Sequence, residues 1–187
     1  DNIPDLLIGS DGNDTDGFNR NGAVYLVQGP VTNSANLSGN QLSLGSNDVL
    51  KFRGVTDNEK IGKSGNPPGK SIGSPGDVNG DGLAEILVGS WSNYNGSGHG
   101  AVYVLMGDSA LASGSLVDAD YILYGDASEG AGVSVGSAGD QDGDGLPEMA
   151  IGANTNSVSA NDAGVVYVVT GGSLASDLLS AVASTTV

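Results

Sequence analysis

Gly76-Asp77-Val78-Asn79-Gly80-Asp81-Gly82-Leu83-Ala84-Glu85 returns 63 residues further on as Gly139-Asp140-Gln141-Asp142-Gly143-Asp144-Gly145-Leu146-Pro147-Glu148. Counted from Asp77 and Asp140, oxygen side chains stand at positions 1, 3, 5 and 9, and glycines at 4 and 6. Alternating acids on a loop bent by glycine turn their oxygens into one small volume. Loop 77–85 holds three carboxylates and the Asn79 amide, loop 140–148 holds four carboxylates, and neither contains Lys or Arg. Like charges held that close repel. The pattern therefore calls for a hard cation with many oxygen ligands, Ca²⁺ ahead of Mg²⁺. The expected ligands are Asp77, Asn79, Asp81 and Glu85 with the Leu83 carbonyl, and Asp140, Asp142, Asp144 and Glu148 with the Leu146 carbonyl.

The loop is not an EF-hand, which needs a bidentate Glu at position 12 and a helix on each side. Position 12 is Val88 or Ile151. The segments that follow, Glu85-Ile86-Leu87-Val88-Gly89 and Glu148-Met149-Ala150-Ile151-Gly152, are short apolar runs closed by glycine and read as buried strands.

Repetition extends outward from these loops. Pro4-Asp5-Leu6-Leu7-Ile8-Gly9-Ser10, Ala84-Glu85-Ile86-Leu87-Val88-Gly89-Ser90 and Pro147-Glu148-Met149-Ala150-Ile151-Gly152-Ala153 align. Each is followed by a Gly-(Ala/Val)-Val-Tyr strand, starting at Gly22, Gly100 and Gly164. A fourth strand holds Phe52 or Leu123, and a first strand covers Lys70–Ser74 and Val133–Ser137. No segment of period 3.6 is long enough to read as a helix. Four-stranded repeats of about 60 residues predict an all-β chain of propeller blades, each a four-stranded antiparallel sheet, about three in number. One partial propeller over residues 1–187 is expected, with units near 1–61, 62–131 and 132–187.

The run Gly-Asp-x-Asn/Asp-Gly-Asp-Gly-Leu-x-Glu, then apolar-Gly-Ser/Ala, then Gly-Ala-Val-Tyr-Val, resembles the FG-GAP repeat family, the propeller of integrin α subunits and their bacterial relatives. The resemblance spans nearly the whole chain and points to a bacterial or other non-integrin member. It implies a propeller with Ca²⁺ in the loop between a blade's first and second strands, carried onto the two residue sets above. Two motifs depart from the family's pattern. Its Phe-Gly pair is here Ile61-Gly62 or Pro68-Gly69, then Ala131-Gly132. Its Gly-Ala-Pro turn is here Gly9-Ser10-Asp11, Gly89-Ser90-Trp91 and Gly152-Ala153-Asn154.

Asp1-Asn2-Ile3-Pro4-Asp5 aligns with Asp81–Glu85, so Asp1, the Ile3 carbonyl and Asp5 form an incomplete third cation site. Ser180–Val187 falls at a fourth strand. A segment of a larger propeller is expected, about eleven strands, with open sheet edges covered by further blades or another chain.

Composition narrows the partners. The 187 residues carry 22 acids against 6 bases, a net charge of −16, which disfavours nucleic acid and anionic membranes. With 38% hydrophobic residues the chain can build a core, and its 32 glycines, without a collagen period, suit many short strands. There is no Cys, and no apolar run approaches membrane-spanning length.

In an up-and-down blade the metal loops share one face. Ser10–Asn21, Ser90–Gly98 and Ala153–Ala163 belong to the opposite one, where Trp91, Tyr94 and His99 form a candidate ligand patch for a protein or glycan. Weaker signals weigh less. Two Gly-x-Ser-x-Gly matches, at Gly69 and Gly132, precede acidic loops rather than helices, so neither is a nucleophile elbow. Gly65–Ser71 lacks one residue and the helix of a phosphate loop. Asp11–Gly17 is an acidic loop of different spacing, and Asn13, Asn36 and Asn95 open N-x-Ser/Thr sequons.

The expected function is a Ca²⁺-stabilised binding or adhesion segment of a secreted or cell-surface protein, not itself an enzyme. The alternative is a propeller attached to, or acting as, an extracellular enzyme on polysaccharide or lipid, or a lectin-like sugar binder.

Overall fold

The Val-, Ile- and Tyr-rich runs form strands, and glycines punctuate them. The computed structural model describes residues 4–12, 17–29, 37–38, 41–42, 49–62, 71–91, 99–126, 129–155, 163–174, 176, 179–183 and 185–186. In chain order the strands are β1 (Leu6–Ser10), β2 (Ala23–Val27), β3 (Leu37–Ser38), β4 (Gln41–Leu42), β5 (Val49–Arg53), β6 (Ile72–Gly73) and β7 (Ile86–Ser90). They continue with β8 (Ala101–Leu105), β9 (Gly114–Ser115), β10 (Tyr121–Tyr124), β11 (Ala131–Gly139), β12 (Glu148–Ala153), β13 (Val165–Val169) and β14 (Thr185–Thr186). Helical turns are confined to Leu116–Asp118, Gly171–Ser173 and Leu179–Val182.

Three four-stranded sheets result, ordered β1-β2-β5-β9, β6-β7-β8-β10 and β11-β12-β13-β14, beside the small β3-β4 hairpin. The chain is thus all-β and built of propeller-like blades. The second and third sheets are antiparallel up-and-down sheets. Their register repeats: Gly9 faces Val24, Gly89 faces Val102 and Gly152 faces Val166. The first strand of the third sheet is longer than expected, because β11 begins at Ala131 and bends through two register shifts. The short β6 covers only two of the residues expected, and Lys70 lies outside the described residues.

The first sheet departs from a plain antiparallel blade. Three of its strands belong to the first repeat, and the fourth, β9, comes from the second repeat and pairs parallel with β5. Two interactions bring it there. Ser113 Oγ accepts the Lys51 N–H at 2.9 Å, and Leu116 beyond it is fully buried. The same device recurs one blade later, where Ser176 Oγ accepts the Ile122 N–H at 3.0 Å and Leu179 is fully buried. In the second and third blades the loop between third and fourth strands thus clips the outer strand of the blade before it.

Hydrophobic burial joins the sheets face to face. Val24, Leu26 and Phe52 of the first sheet pack with Ile86, Val88, Tyr103 and Leu105 of the second. On the second sheet's other face, Leu87, Val102 and Val104 pack with Met149, Ile151, Tyr167 and Val169 of the third. Fully burying one such side chain contributes about 1.5–3 kcal/mol. These stacked apolar layers hold the loops between first and second strands in fixed relation.

Candidate metal centre

Both acidic loops are hairpin connections, one entering β7 from β6 and the other entering β12 from β11. The glycines at their positions 4 and 6 adopt positive φ, Gly80 at 79° and Gly82 at 90°, Gly143 at 81° and Gly145 at 94°. Side chains with a Cβ rarely take that backbone, and it lets the loop curl around its first Asp. Asp77 Oδ1 accepts from Gly80 N at 2.7 Å and its Oδ2 from Gly82 N at 2.8 Å. Asp140 does the same, from Gly143 N at 2.7 Å and Gly145 N at 3.0 Å. Backbone donors therefore pin the first acid of each loop before any ligand is considered.

The last acid is pinned from beneath. Glu85 is fully buried, and its Oε2 accepts from Val78 N at 2.7 Å while Oε1 accepts from Gly107 N at 3.4 Å. Glu148 is also buried and accepts from Gln141 N. Burial pushes the Glu85 carboxyl above its ordinary range, and the charges of Asp81 and Asp77 push the same way, while the Val78 and Gly107 N–H groups oppose them. That direction marks first the cost of burying the Glu85 carboxylate, to which the neighbouring acids add less.

The two loops differ at position 3. Asn79 donates from Nδ2 to Asp81 Oδ2 at 2.8 Å and accepts from Asp81 N at 2.9 Å, so the amide partly satisfies its acidic neighbour. Asp142 has no such donor. Its Oδ1 accepts from Asp144 N at 3.1 Å, and Asp144 in turn accepts from Leu146 N at 2.8 Å.

One consequence is a convergent group. Asp140, Asp142 and Glu148 each offer a carboxylate oxygen, and these oxygens lie within 4.8 Å of one another. Among the described residues this is the one such group of three or more His, Cys, Asp or Glu side chains; the equivalent set in the other loop contains the Asn79 amide. Opposed oxygens on a Ca²⁺ ion, at about 2.3–2.6 Å each, stand roughly 4.6–5.2 Å apart, so the three fit a single coordination shell. Hard, anionic oxygen donors suit Ca²⁺ or Mg²⁺ and not a soft metal. Asp144 stands outside that triad, as do Asp77, Asp81 and Glu85. The Leu83 side chain is exposed and that of Leu146 half-buried.

Of the third, incomplete loop, Asp1 and Ile3 lie outside the described residues. Asp5 accepts from Gly29 N at 2.8 Å, the counterpart of the Glu85–Gly107 contact. Trp91 and His99 are half-buried, at the end of β7 and just before β8, and the segment entering β11 crosses there, with Ala131 N donating to the His99 carbonyl at 3.2 Å. Tyr94 lies outside the described residues, as do most of the Gly65–Ser71 and Asp11–Gly17 loops and the three sequon asparagines. Gly132–Gly136 runs within β11, with no helix after Ser134.

Residues 71–105 match the family model described as FG-GAP repeat. This stretch is an FG-GAP repeat. No curated protein matches the chain. The FG-GAP segment spans β6, the loop 77–85, β7 and β8, and the same order of elements returns in β11, the loop 140–148, β12 and β13. The structure also fixes which pair replaces Phe-Gly in the first copy. Ile61 bridges Gly22 as Ala131 bridges Gly100, so Ile61-Gly62 is the equivalent, while Pro68-Gly69 lies outside the described residues.

Sequence reading missed a second repeated feature. Glu59 and Glu129 are buried in the connections between blades. Glu59 accepts the Tyr103 hydroxyl and the Val55 and Thr56 N–H groups. Glu129 accepts the Tyr167 hydroxyl at 2.8 Å and the Asp126 N–H at 2.9 Å. Burial raises the Glu59 carboxyl, with the Tyr103 hydrogen bond working against it. The signal was present as Gly54-x₄-Glu59-x-Ile61-Gly62 and Gly125-x₃-Glu129-x-Ala131-Gly132.

Proposed function

We propose that this chain is a calcium-binding FG-GAP propeller segment of a secreted or cell-surface protein, serving adhesion or the binding of a protein or glycan. The observation that carries the reading is the convergence of Asp140, Asp142 and Glu148 at the hairpin between β11 and β12. A bound Ca²⁺ would neutralise carboxylates that otherwise repel across a few ångströms. The chain's own residues do the rest. Backbone N–H groups hold Asp140 and Glu148 in place, and the buried sheets keep the hairpin from opening. Extracellular calcium modules work with dissociation constants of about 10⁻⁴–10⁻³ M, because calcium outside the cell is plentiful.

Loop 77–85 is the second site of the proposal, and Asp5, with Asp1 and the Ile3 carbonyl, a third, incomplete one. Loop 140–148, with its fourth carboxylate, binds the more tightly of the two complete loops. The face opposite these loops, with Trp91, Tyr94 and His99, is proposed to meet the ligand. No helix of the described residues is long and apolar enough to cross a membrane.

Calorimetric titration of chelated protein with CaCl₂ tests the reading. Saturable binding that Asp140→Asn weakens at least tenfold supports it. Absence of binding heat up to ten millimolar Ca²⁺ contradicts it.

A further inference from the structure

Among the described residues three that are not glycine take a positive φ, and all three stand at one corner of the first sheet: Arg20 at 52°, Asn58 at 60° and Lys60 at 56°. The corner is two short segments laced together. Asn58 N donates to the Asn19 carbonyl at 2.8 Å, Lys60 N to the Arg20 carbonyl at 3.0 Å and Ile61 N to the Asn21 carbonyl at 3.0 Å. Asn19 N donates to Asp57 Oδ1 at 2.8 Å, and Asn21 Nδ2 to the Gly54 carbonyl at 3.0 Å. Asparagine tolerates the left-handed region, whereas arginine and lysine are uncommon there. Gly22 bridges Ile61 as Gly100 bridges Ala131, which sets Arg20 against Gly98 and Lys60 against Gly130. Gly130 takes φ 63°, so the second repeat meets the same backbone with glycine. The first repeat places a base there instead, at a cost in backbone strain. Strained residues of this kind cluster at ligand-holding sites.

Charge and exposure narrow the ligand. All six bases of the sequence lie between Arg20 and Lys70. Arg53, half-buried, stands beside Gly54, whose N–H reaches the Gly22 carbonyl at 3.2 Å. Arg20 and Arg53 are themselves engaged within the chain, so they are held rather than loose. Of the nearby acids, Glu59 is buried against Tyr103 and Asp57 accepts the Asn19 N–H. Asp11, Asp14 and Asp16 stand earlier in the β1–β2 connection. The corner therefore offers donors for one anionic group and not a broad basic field. The net charge of −16 repels an extended polyanion as well, which disfavours a strongly acidic protein. A single carboxylate on an otherwise neutral body fits, and an arginine fork matches carboxylate geometry. Phe18, 39% exposed and two residues before Arg20, adds an aromatic face of the kind that covers the apolar side of a sugar ring.

We infer that this corner binds an acidic sugar, a uronate unit of a glycan, with its carboxylate held by Arg20 and Lys60 and its ring against Phe18. The β1–β2 and β5–β6 connections that carry these residues correspond to those at the ends of the blades away from the acidic hairpins. The inference gives the proposed ligand face a chemical class. It rests on the reading that this face meets a ligand, and it stands without calcium.

Trigalacturonate serves as the probe, titrated into the isotopically labelled full chain in chelator and about 0.15 M NaCl. Saturable amide shifts over residues 18–22 and 54–61 are expected below about ten millimolar, and none with the methyl-esterified trisaccharide. Arg20→Gly and Lys60→Gly each weaken binding at least about fivefold. Glycine suits both backbones, so these variants keep a urea midpoint equal to or above the parent's, whereas loss of a merely structural base lowers it. Trp91→Ala leaves binding of the probe unchanged. The inference is overturned by the absence of a saturable shift, by equal binding of the methyl ester, or by glycine variants that lose stability and keep binding. Tighter binding of a pentaglutamate peptide overturns it in favour of a protein partner. A loss confined to Trp91→Ala overturns it too, moving the sugar to the Trp91 patch and leaving the ligand-face reading intact.

Discussion

Asn79 and Asp142 occupy the same place in two copies of one loop and set them apart. The amide donates to Asp81, whereas the carboxylate adds a fourth like charge and completes the convergent group. Asp142→Asn should therefore do two opposite things. It lowers Ca²⁺ affinity at loop 140–148 about tenfold or more, read by calorimetry, and it raises stability in chelator by relieving repulsion, read by urea unfolding. Glu59 makes a second case at this scale. Its carboxyl lies above the ordinary glutamate value of 4.5 because it is buried, so the folded state favours the proton. Stability from this group is fully present below that value and is lost as pH rises from it through the raised folded value. In chelator, Glu59→Gln should remove that part of the pH dependence. A variant whose stability falls with pH as steeply as the parent's would contradict this account of Glu59.

Strands and their connections carry the next set of effects. Val at position 89 would drive a side chain into the Gly132 carbonyl, so Gly89→Val should cost at least about 1–3 kcal/mol, the usual range of overpacking. Tyr167→Phe removes the hydroxyl that Glu129 accepts and leaves a buried carboxylate short of a partner, a loss of about 1–3 kcal/mol measurable by chemical denaturation. The sequence showed much of this level. The Val-Tyr strands, the glycine-bent acidic loops and their 63-residue repeat placed the second and third sheets within a few residues. It did not show the parallel addition of β9, because two residues, Gly114 and Ser115, carry no strand pattern and are positioned by the Ser113 hydroxyl and buried Leu116. Nor did it single out Glu59 and Glu129. A glutamate in a polar connection looks solvated until the fold sets it against a tyrosine 44 or 38 residues away. At the acidic loops the candidate ligand types were legible and their convergence was not. Loop 77–85 and loop 140–148 share one pattern, yet only the second brings three carboxylates within 4.8 Å among the described residues.

Across the whole molecule, a net charge of −16 concentrates part of its self-repulsion in two hairpins at one face. Added monovalent salt should stabilise the chelated protein by screening, and less so the calcium-loaded one. The stacked sheets couple each loop to its neighbours through continuous apolar layers, so neutralising the hairpins strengthens the assembly as a unit. With a dissociation constant near 10⁻⁴ M, a single site in ten millimolar Ca²⁺ adds about 2.7 kcal/mol. For a chain of this length that is a rise in Tm of roughly 5–10 °C. The most direct test is the thermal melting of the full chain in chelator, in ten millimolar Ca²⁺ and in matched ionic strength of NaCl. A calcium-specific rise of several degrees, reduced in Asp140→Asn, is the expected result. Equal Tm in Ca²⁺ and in matched NaCl would contradict the calcium-stabilised propeller.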